Sequence, residues 1–243
     1  MNFSLNNKID FVNKFLTPIS RINDLVTIKV DGNEVFSLNR TADNNTILYA
    51  SCNDIKCDNT HNINIPDIKK LIKALDGIND NQVNLLINSN NLEYKSSNVK
   101  FKFHLLEDGI ITAPNLNVNK INSFQYNVRF KVTTQALNNL LKSSTFITDS
   151  NKIYIFSDGD TVYGELTDRS KHNIDMYTTV LCSGYDGEAI EKPIPFSFDV
   201  FRLVSTLKSN TFDISLNTER GILSMDIIEN GYKLKYISTS MVC

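Results

Sequence analysis

The order of elements that decides the fold begins at Thr133-Thr-Gln-Ala-Leu-Asn-Asn-Leu-Leu-Lys142, a helical pattern that precedes the strand-like Lys152-Ile-Tyr-Ile-Phe156 and the turn Asp158-Gly-Asp160. The first half of the chain shows the same order, roughly 125 to 132 residues earlier. It reads Leu5-Asn-Asn-Lys-Ile-Asp-Phe-Val-Asn-Lys-Phe-Leu16, then Val26-Thr-Ile-Lys-Val30 and the turn Asp31-Gly-Asn33. Few residues are identical between the halves, so the shared order of elements is what indicates a duplication.

A second pair of helical patterns supports the duplication. Pro66-Asp-Ile-Lys-Lys-Leu-Ile-Lys-Ala-Leu75 corresponds to Ser197-Phe-Asp-Val-Phe-Arg-Leu-Val-Ser-Thr-Leu207, and each leads into alternating strands. Two amphipathic helices and many hairpin-connected strands in each half predict an α+β fold, in which helices pack on antiparallel sheets. We expect an N-terminal domain over residues 1–112, an extended linker over 113–124 and a C-terminal domain over 125–243.

The ends of the predicted helices follow from capping residues. Ser4 is placed to cap the first helix and Pro18 to stop it. Pro66 suits the first turn of the second helix, which Gly77 closes. The predicted apolar faces are Leu5, Ile9, Val12 and Leu16 on the first helix, Ile68, Leu71, Ile72 and Leu75 on the second, and Val200, Leu203, Val204 and Leu207 on the last.

Composition places the chain among ordinary globular proteins. It has 243 residues, of which 41% are hydrophobic and 21% charged, and a formal net charge of −2. A DNA-binding surface would therefore need basic residues segregated onto one side. The chain has no apolar run of membrane-spanning length, no signal-peptide core at its N-terminus and only four scattered cysteines. We expect a cytoplasmic protein.

Basic residues predominate on the helix surfaces that face away from the core. Lys69, Lys70 and Lys73 lie together opposite the apolar face of their helix. Lys14 faces away from the first apolar face, with Lys8 at its edge. The Thr133 helix offers Gln135, Asn138, Asn139 and Lys142, with no carboxylate. On any one helix, these residues are explained by an ordinary solvent-exposed face. Because the same basic bias recurs on several helices, the sequence favours a surface that attracts phosphates without reading bases. The candidate DNA-facing residues are Lys14, Lys69, Lys70, Lys73, Lys142, Arg202 and Lys208.

The sequence contains no recognised catalytic constellation. Cys52-x4-Cys57-x3-His61 resembles part of a zinc site, but no fourth ligand is close, so loop cysteines are the better reading. The turn Asp158-Gly-Asp160 lacks the other spaced ligands of a calcium loop. The three histidines are isolated, and neither a Gly-x-Ser-x-Gly motif nor a phosphate-binding Gly-rich loop occurs. We expect no enzymatic activity, no metal and no cofactor.

Several stretches resemble DNA polymerase sliding clamps, most closely those of tailed bacteriophages with contractile tails. The stretch Tyr185-Asp-Gly-Glu188 follows a predicted strand that ends with Thr178-Thr-Val-Leu181. It is similar to the amino-acid sequence of that family at this point. The linker Ala113-Pro-Asn115 and the stretch Phe130-Lys-Val-Thr-Thr-Gln-Ala-Leu-Asn-Asn-Leu-Leu141 are also similar to it. The resemblance in architecture covers the whole chain, whereas the resemblance in amino-acid sequence is confined to these short stretches.

The resemblance implies a head-to-tail homotrimeric ring whose helices line the hole. The ring would encircle double-stranded DNA without sequence preference in the cytoplasm of an infected bacterial host. An ATP-dependent clamp loader would open and close it, and it would make the replicative DNA polymerase processive. The resemblance also implies an apolar pocket for short C-terminal peptides of the polymerase and other partners. Its candidate residues are Leu116, Val118, Ile121, Tyr236 and Ile237, although these residues would also serve to pin the linker and the last strand.

Two alternatives belong to other classes of protein. One is a structural ring component of a phage particle, such as a tail or baseplate protein, which would show no dependence on DNA. The other is a nucleic-acid-modifying enzyme without recognised motifs, against which the missing carboxylate and histidine clusters argue. Polymerase processivity on circular and linear primed templates separates the three.

Overall fold

The structure is a computed structural model that describes residues 1–57, 60–112, 114 and 118–241. It contains two compact units. The first comprises Met1–Asn117 and Ile228–Leu234, and the second Val118–Ile227 and Lys235–Cys243. The chain thus passes from one unit to the other within the predicted linker, while the tip of its last hairpin belongs with the first unit. The domain limits expected from the sequence stay a prediction.

The first unit contains antiparallel sheets, one of which has the strand order β5-β1-β7-β8-β9. Another sheet contains the neighbouring strands β4-β3-β2-β6. Burial alternates along β7, where Val83, Leu85 and Ile87 are buried, as expected when one face of a sheet covers a core. The strands are β1 (Asn2–Leu5), β2 (Val26–Asp31), β3 (Glu34–Arg40), β4 (Thr46–Cys52), β5 (Ile55–Cys57), β6 (His61–Ile65), β7 (Val83–Ile87), β8 (Asn91–Lys95) and β9 (Lys100–His104).

The second unit repeats this plan with the strand orders β14-β10-β16-β17-β18 and β13-β12-β11-β15. In β10, Val128, Phe130 and Val132 are buried and the residues between them are exposed. The strands are β10 (Val128–Thr133), β11 (Lys152–Asp158), β12 (Thr161–Leu166), β13 (Tyr177–Ser183), β14 (Asp186–Gly187), β15 (Ile194–Ser197), β16 (Thr211–Asn217), β17 (Ile222–Glu229) and β18 (Tyr232–Thr239). Each unit also carries two amphipathic helices, so the predicted α+β fold class is confirmed.

Both Asp-Gly turns are hairpin turns, as predicted. Asp31 pairs with Glu34 across a two-residue loop, and Asp158 pairs with Thr161 in the same way. Gly32 and Gly159 have φ values of 59° and 54°, in the left-handed region that the first position of such a loop requires. The duplication therefore extends to the geometry of these turns.

The first helical region, α1, differs most from the prediction. It consists of an α-helix over Lys8–Asp10, a π-helix over Phe11–Leu16 and an α-helix over Thr17–Ser20. Ser4 lies in β1, and the Asn7 side chain caps the helix by accepting a hydrogen bond from the Asp10 amide. Pro18 does not stop the helix, because it lies in the first turn of the last segment, where no amide hydrogen is needed.

The apolar face of α1 was also predicted incorrectly in part. Leu5 is buried but belongs to a strand, and Ile9 is 54% exposed. Both misses lie before the π-helix, Leu5 in β1 and Ile9 in the α-helical segment Lys8–Asp10, whereas Val12 and Leu16 within the π-helix are buried as predicted. The residues that α1 buries are Lys8, Phe11, Val12, Phe15, Leu16, Pro18 and Ile19.

The remaining helices are α2 (Ile68–Asp76), α3 (Val118–Asn122), α4 (Thr134–Ser143) and α5 (Asp199–Ser205). Pro66 precedes the N-cap Asp67 of α2 and so lies outside the helix, contrary to the prediction. Gly77 follows as the C-cap, as predicted. The helix α3 occupies part of the stretch predicted to be an extended linker. The last helix is shorter than its pattern, and Leu203 and Leu207 are only half-buried.

Five strands were not predicted, namely β1, β5, β6, β14 and β15. Leu5 was assigned to the helical pattern and Ser4 to its N-cap, so β1 was missed. The segment Ile194–Ser197 was not predicted as a strand; it contains Pro195, and β15 lies at the end of its sheet order, where a proline is tolerated.

Candidate nucleic-acid interface

The exposed face of α2 carries three lysines of the first unit. The helix begins where the Asp67 side chain accepts a hydrogen bond of 2.8 Å from the Lys70 amide. Ile68, Leu71 and Leu75 are buried on the opposite face. Lys69, Lys70 and Lys73 are all exposed, which places them where the sequence predicted.

The three α2 lysines differ in their partners. Lys69 Nζ lies 2.8 Å from Asp24 Oδ1, in a pair whose two side chains are more than half exposed. Among the described residues, the ammonium groups of Lys70 and Lys73 have no ion pair or hydrogen bond. Exposed ion pairs contribute little and are screened by salt, so the face as a whole remains available to an anion.

Lys14 on α1 is engaged within the first unit. Its Nζ lies 3.0 Å from Glu229 Oε1 and 3.4 Å from Asp10 Oδ1, and it lies 5.9 Å from the ring centre of Tyr232. Burial alone would lower the pKa of Lys14, but the hydrogen bond with Glu229 and the nearby carboxylates outweigh this, and the pKa is raised. Lys14 therefore ties α1 to the tip of the last hairpin, and its assignment to DNA stays a prediction.

The hairpin tip that binds Lys14 is itself fixed to the first unit. Asn230 and Gly231 have φ values of 47° and 82°, typical of a two-residue turn. The Asn53 amide donates to the Gly231 carbonyl at 3.0 Å, and Tyr232 is buried. No sequence pattern linked these residues to α1, because their contact depends on tertiary structure alone.

The exposed face of α4 in the second unit is mostly uncharged. Thr133 caps the helix by accepting a hydrogen bond of 3.1 Å from the Ala136 amide, and Leu137 and Leu140 are buried. The residues that α4 exposes are Gln135, Asn138, Asn139 and Lys142. Their side chains make no hydrogen bond or ion pair with the residues that the structure describes.

Arg202 on α5 is largely neutralised by its surroundings. Its Nη1 donates at 2.7 Å both to Asp199 Oδ1 and to Asn151 Oδ1, and its guanidinium stacks 4.7 Å from the ring centre of Phe198. Lys208 is exposed but lies beyond the end of the helix. Within each unit the two long helices are in contact, α1 with α2 and α4 with α5.

The candidate residues for a partner pocket are mostly buried. Ile121, Tyr236 and Ile237 are exposed by only 1%, 1% and 4%, Val118 is half-buried, and Leu116 lies outside the described residues. Such burial fits the alternative reading, in which these side chains pin α3 and the last strand. Their role in binding a peptide stays a prediction.

An open groove of about 300 Å³ lies instead in the first unit. Leu25, Leu38, Ile111 and Pro114 are among its lining residues, but polar atoms make up the larger part of its surface. Loop residues including Arg40 and Thr41 complete it. No sequence pattern predicted this groove, because its lining residues come from three separate segments, 23–27, 38–44 and 111–114.

Metal-ligating residues are not brought together in the described part of the chain. Cys52 lies in β4, Cys57 in β5 and His61 in β6. No group of three or more His, Cys, Asp or Glu side chains there has the arrangement of a metal site. No helix among the described residues is long and apolar enough to cross a membrane.

Two terminal strands carry exposed surface. In the described residues, β9 ends one sheet of the first unit and β13 ends one sheet of the second. Apolar side chains are exposed on β13 and immediately before it, namely Met176, Tyr177 and Val180. Lys100, Lys102 and His104 are exposed on β9. Unpaired edges of this kind are open to pairing with another chain.

The Tyr185-Asp-Gly-Glu188 stretch has a structural requirement for glycine. Gly187 has a φ of 110°, and a Cβ there would lie 1.9 Å from the Asn127 carbonyl oxygen. That approach occurs where β14 pairs with β10, with Val128 opposite Gly187. A side chain at this position would force the two strands apart.

No protein-family model and no curated protein sequence matches the chain. Solved structures do match it. The A. fulgidus PCNA bound to the C-terminal region of FEN-1 has 14% identity and a TM-score of 0.78, covering 100% of this chain and 98% of that one. Proliferating cellular nuclear antigen from Entamoeba histolytica has 14% identity and a TM-score of 0.77, covering 99% and 98%.

A putative DNA polymerase III beta subunit from Eubacterium rectale ATCC 33656 also matches, with 11% identity and a TM-score of 0.75, covering 100% of this chain and 66% of that one. These likenesses show that the chain has the fold of PCNA and of the beta subunit.

Proposed function

We propose that the chain is a sliding clamp that encircles double-stranded DNA and tethers a replicative DNA polymerase. The observation that carries the proposal is the exposed lysine face of α2, on a fold like that of PCNA, in a chain of net charge −2. Segregated basic charge on an acidic protein is typical of a surface that attracts phosphates.

The mechanism follows from the topology of a ring. A closed ring retains DNA without needing strong binding, so its contacts with DNA can be weak. Screened contacts between lysines and phosphates are blind to sequence and permit sliding. The side chains of Lys70 and Lys73, which have no partner among the described residues, suit such contacts, whereas bidentate contacts with bases would stop movement.

Three chains would form the ring through a head-to-tail contact. The terminal strands β9 and β13 are different surfaces, as a heterologous interface requires. The exposed apolar side chains beside β13 would be covered in that contact. Sedimentation at increasing concentration should approach three chains per particle, and a stable monomer at high concentration would contradict the proposed ring.

The partners follow from the same proposal. An ATP-dependent clamp loader would open the ring, and the polymerase would bind through a short C-terminal peptide in an apolar pocket. The groove lined in part by Leu25 and Ile111 is a further candidate position for the peptide in the first unit, although its lining is mainly polar, in addition to the residues predicted from the sequence. Phage DNA replication in the cytoplasm of an infected host would be the setting, as the sequence resemblance implies.

The test is polymerase processivity on circular and linear primed DNA. With polymerase, clamp loader and ATP, the chain should lengthen products on circular DNA, and less so on linear DNA, from whose ends a ring slides off. Replacing Lys69, Lys70 and Lys73 with Glu should reduce the effect while leaving the fold intact. Rings that form but give no effect of DNA topology would favour a structural ring component instead.

A further inference from the structure

The two units present different chemistry on the helices proposed to face DNA. We propose that α2 attracts the phosphate backbone by charge, whereas α4 contacts it through uncharged amide side chains. This inference rests on the proposed function, because it assigns roles within the same DNA-facing surface. The affinity for DNA would then have two contributions. The electrostatic contribution of α2 depends on salt, whereas the hydrogen-bonding contribution of α4 is affected little by salt.

The charge on α2 is concentrated and available. Lys69, Lys70 and Lys73 occupy one exposed face, and the carboxylates of the helix region, Asp67 and Asp76, lie at its two ends. Asp67 is occupied in capping the helix. Within the described part of the chain, the exposed pair between Lys69 and Asp24 is the one ion pair that competes with a phosphate for these ammonium groups.

The exposed face of α4 carries amides where α2 carries lysines. Gln135, Asn138 and Asn139 are exposed, and their side chains have no partner among the described residues. An amide group donates two hydrogen bonds without bearing charge, so it can bind a phosphate oxygen without releasing a counterion. The helix contains no carboxylate that would repel the phosphate, and Lys142 near its end is its only cation.

The basic residues of the neighbouring helices α1 and α5 do not remove the difference in charge between the α2 and α4 faces. Lys14 on α1 is held by Asp10 and Glu229. Arg202 on α5 is held by Asp199 and stacked on Phe198. The contrast between the α2 and α4 faces therefore persists when both helices of each unit are considered.

The experiment compares two triple variants of the full chain. The α2 variant replaces Lys69, Lys70 and Lys73 with Gln, and the α4 variant replaces Gln135, Asn138 and Asn139 with Ala. Association with a labelled linear duplex, onto which a ring can thread, is measured by anisotropy between about 50 and 200 mM salt. Alanine favours a helix more than Asn or Gln does, so the α4 variant should stay folded.

Matched controls change the same chemistry away from the helices. One replaces the exposed strand lysines Lys29, Lys56 and Lys95 with Gln. The other replaces the exposed Asn62, Gln82 and Asn84 with Ala. Neither control should alter the affinity or its salt dependence beyond the small effect of net charge.

The expected results distinguish the two roles. The α2 variant should lower the slope of log affinity against log salt by about two to three units, at about 0.9 per lost phosphate contact. The α4 variant should lower the affinity by about three- to tenfold at every salt concentration, with an unchanged slope.

Two results would overturn the inference alone. One is an α4 variant that binds like the parent at every salt concentration. The other is an α4 variant whose slope falls as it does for the α2 variant. A folded parent that fails to associate with the duplex would also overturn this inference, whereas the proposed function is overturned only if the chain gives no processivity on circular DNA.

Discussion

The helices α1 and α2 are in contact in the first unit, and both carry lysines away from their predicted apolar faces, yet they use them differently. Lys8 and Lys14 on α1 bind groups of the protein itself, Ile78 and Glu229. Lys70 and Lys73 on α2 bind no described group. A position on a helical wheel was enough to place the α2 lysines at the surface, but the segments that pack beside α1 decide that Lys8 is buried and that Lys14 is paired.

The largest expected effect of this difference concerns Lys8, which is only 5% exposed. Its Nζ donates to the Ile78 carbonyl oxygen, for which the described residues supply no other donor. Replacing Lys8 with Met keeps the apolar stem but leaves a buried acceptor without a partner, which should lower the free energy of unfolding by about 2 kcal/mol. Urea denaturation measures this change in the free energy of unfolding. An unchanged midpoint would show that the contact of Lys8 with Ile78 does not stabilise the fold.

The next largest effect concerns Lys14. Replacing it with Met leaves the carboxylates of Asp10 and Glu229 without their partner, and we expect a loss of about 1 kcal/mol because the site is only partly buried. The pKa of Lys14 is raised, so its contribution is complete below the ordinary pKa of 10.5 and is lost as pH rises beyond it. The difference between parent and variant in urea should therefore shrink above about pH 10.5. A difference that grows there would contradict the assignment.

The sequence was sufficient to predict α2 and α4 because their signals are local. Asp67 and Thr133 are strong N-caps, and the apolar residues that follow keep a regular helical period. The outward direction of Lys69, Lys70 and Lys73 follows from that period alone. The hairpin turns at Gly32 and Gly159 are local signals of the same kind.

The sequence was insufficient for α1 and for the use of its lysines. Lys8 and Ile9 lie in the α-helical segment before the π-helix, and the burial of Lys8 depends on its contact with Ile78, which is distant in sequence and leaves no trace in a regular period. The ion pair between Lys14 and Glu229 joins segments from opposite ends of the chain. Likewise, the burial of Tyr236 and Ile237 in β18 depends on the residues that cover the strand, and the local sequence does not predict which residues these are.

A smaller effect on stability is expected at an ion pair within the second unit. There Lys152, like Lys14 in the first unit, binds a carboxylate of the protein itself. Lys152 Nζ and Ser170 Oγ donate to Asp168 Oδ1 at 2.8 and 2.7 Å, and together they lower the pKa of Asp168 from 3.8 to about 2. The stabilisation is present above about pH 3.8 and is lost as pH falls towards 2.

The measurement for Asp168 is unfolding of the Asp168→Asn variant and the parent between about pH 2 and 6. The two should differ most at the upper end and converge towards the lower end. Asp213→Asn, which removes an exposed pair with Lys131, is the control and should change stability less. A constant difference across the range would show that the ionised Asp168 is not what stabilises the loop.

The smallest expected effect tests the α2 side of the comparison. Replacing Lys70 and Lys73 with Met removes two charges that have no described partner, so the free energy of unfolding should change by less than about 0.5 kcal/mol. The same double variant should weaken association with duplex DNA and lower its salt slope by about two units, if both side chains contact phosphates. Urea denaturation and anisotropy on one preparation give both values. A loss of stability as large as that of Lys14→Met would show that the α2 lysines also serve the fold, and the contrast between the two helices would then be wrong.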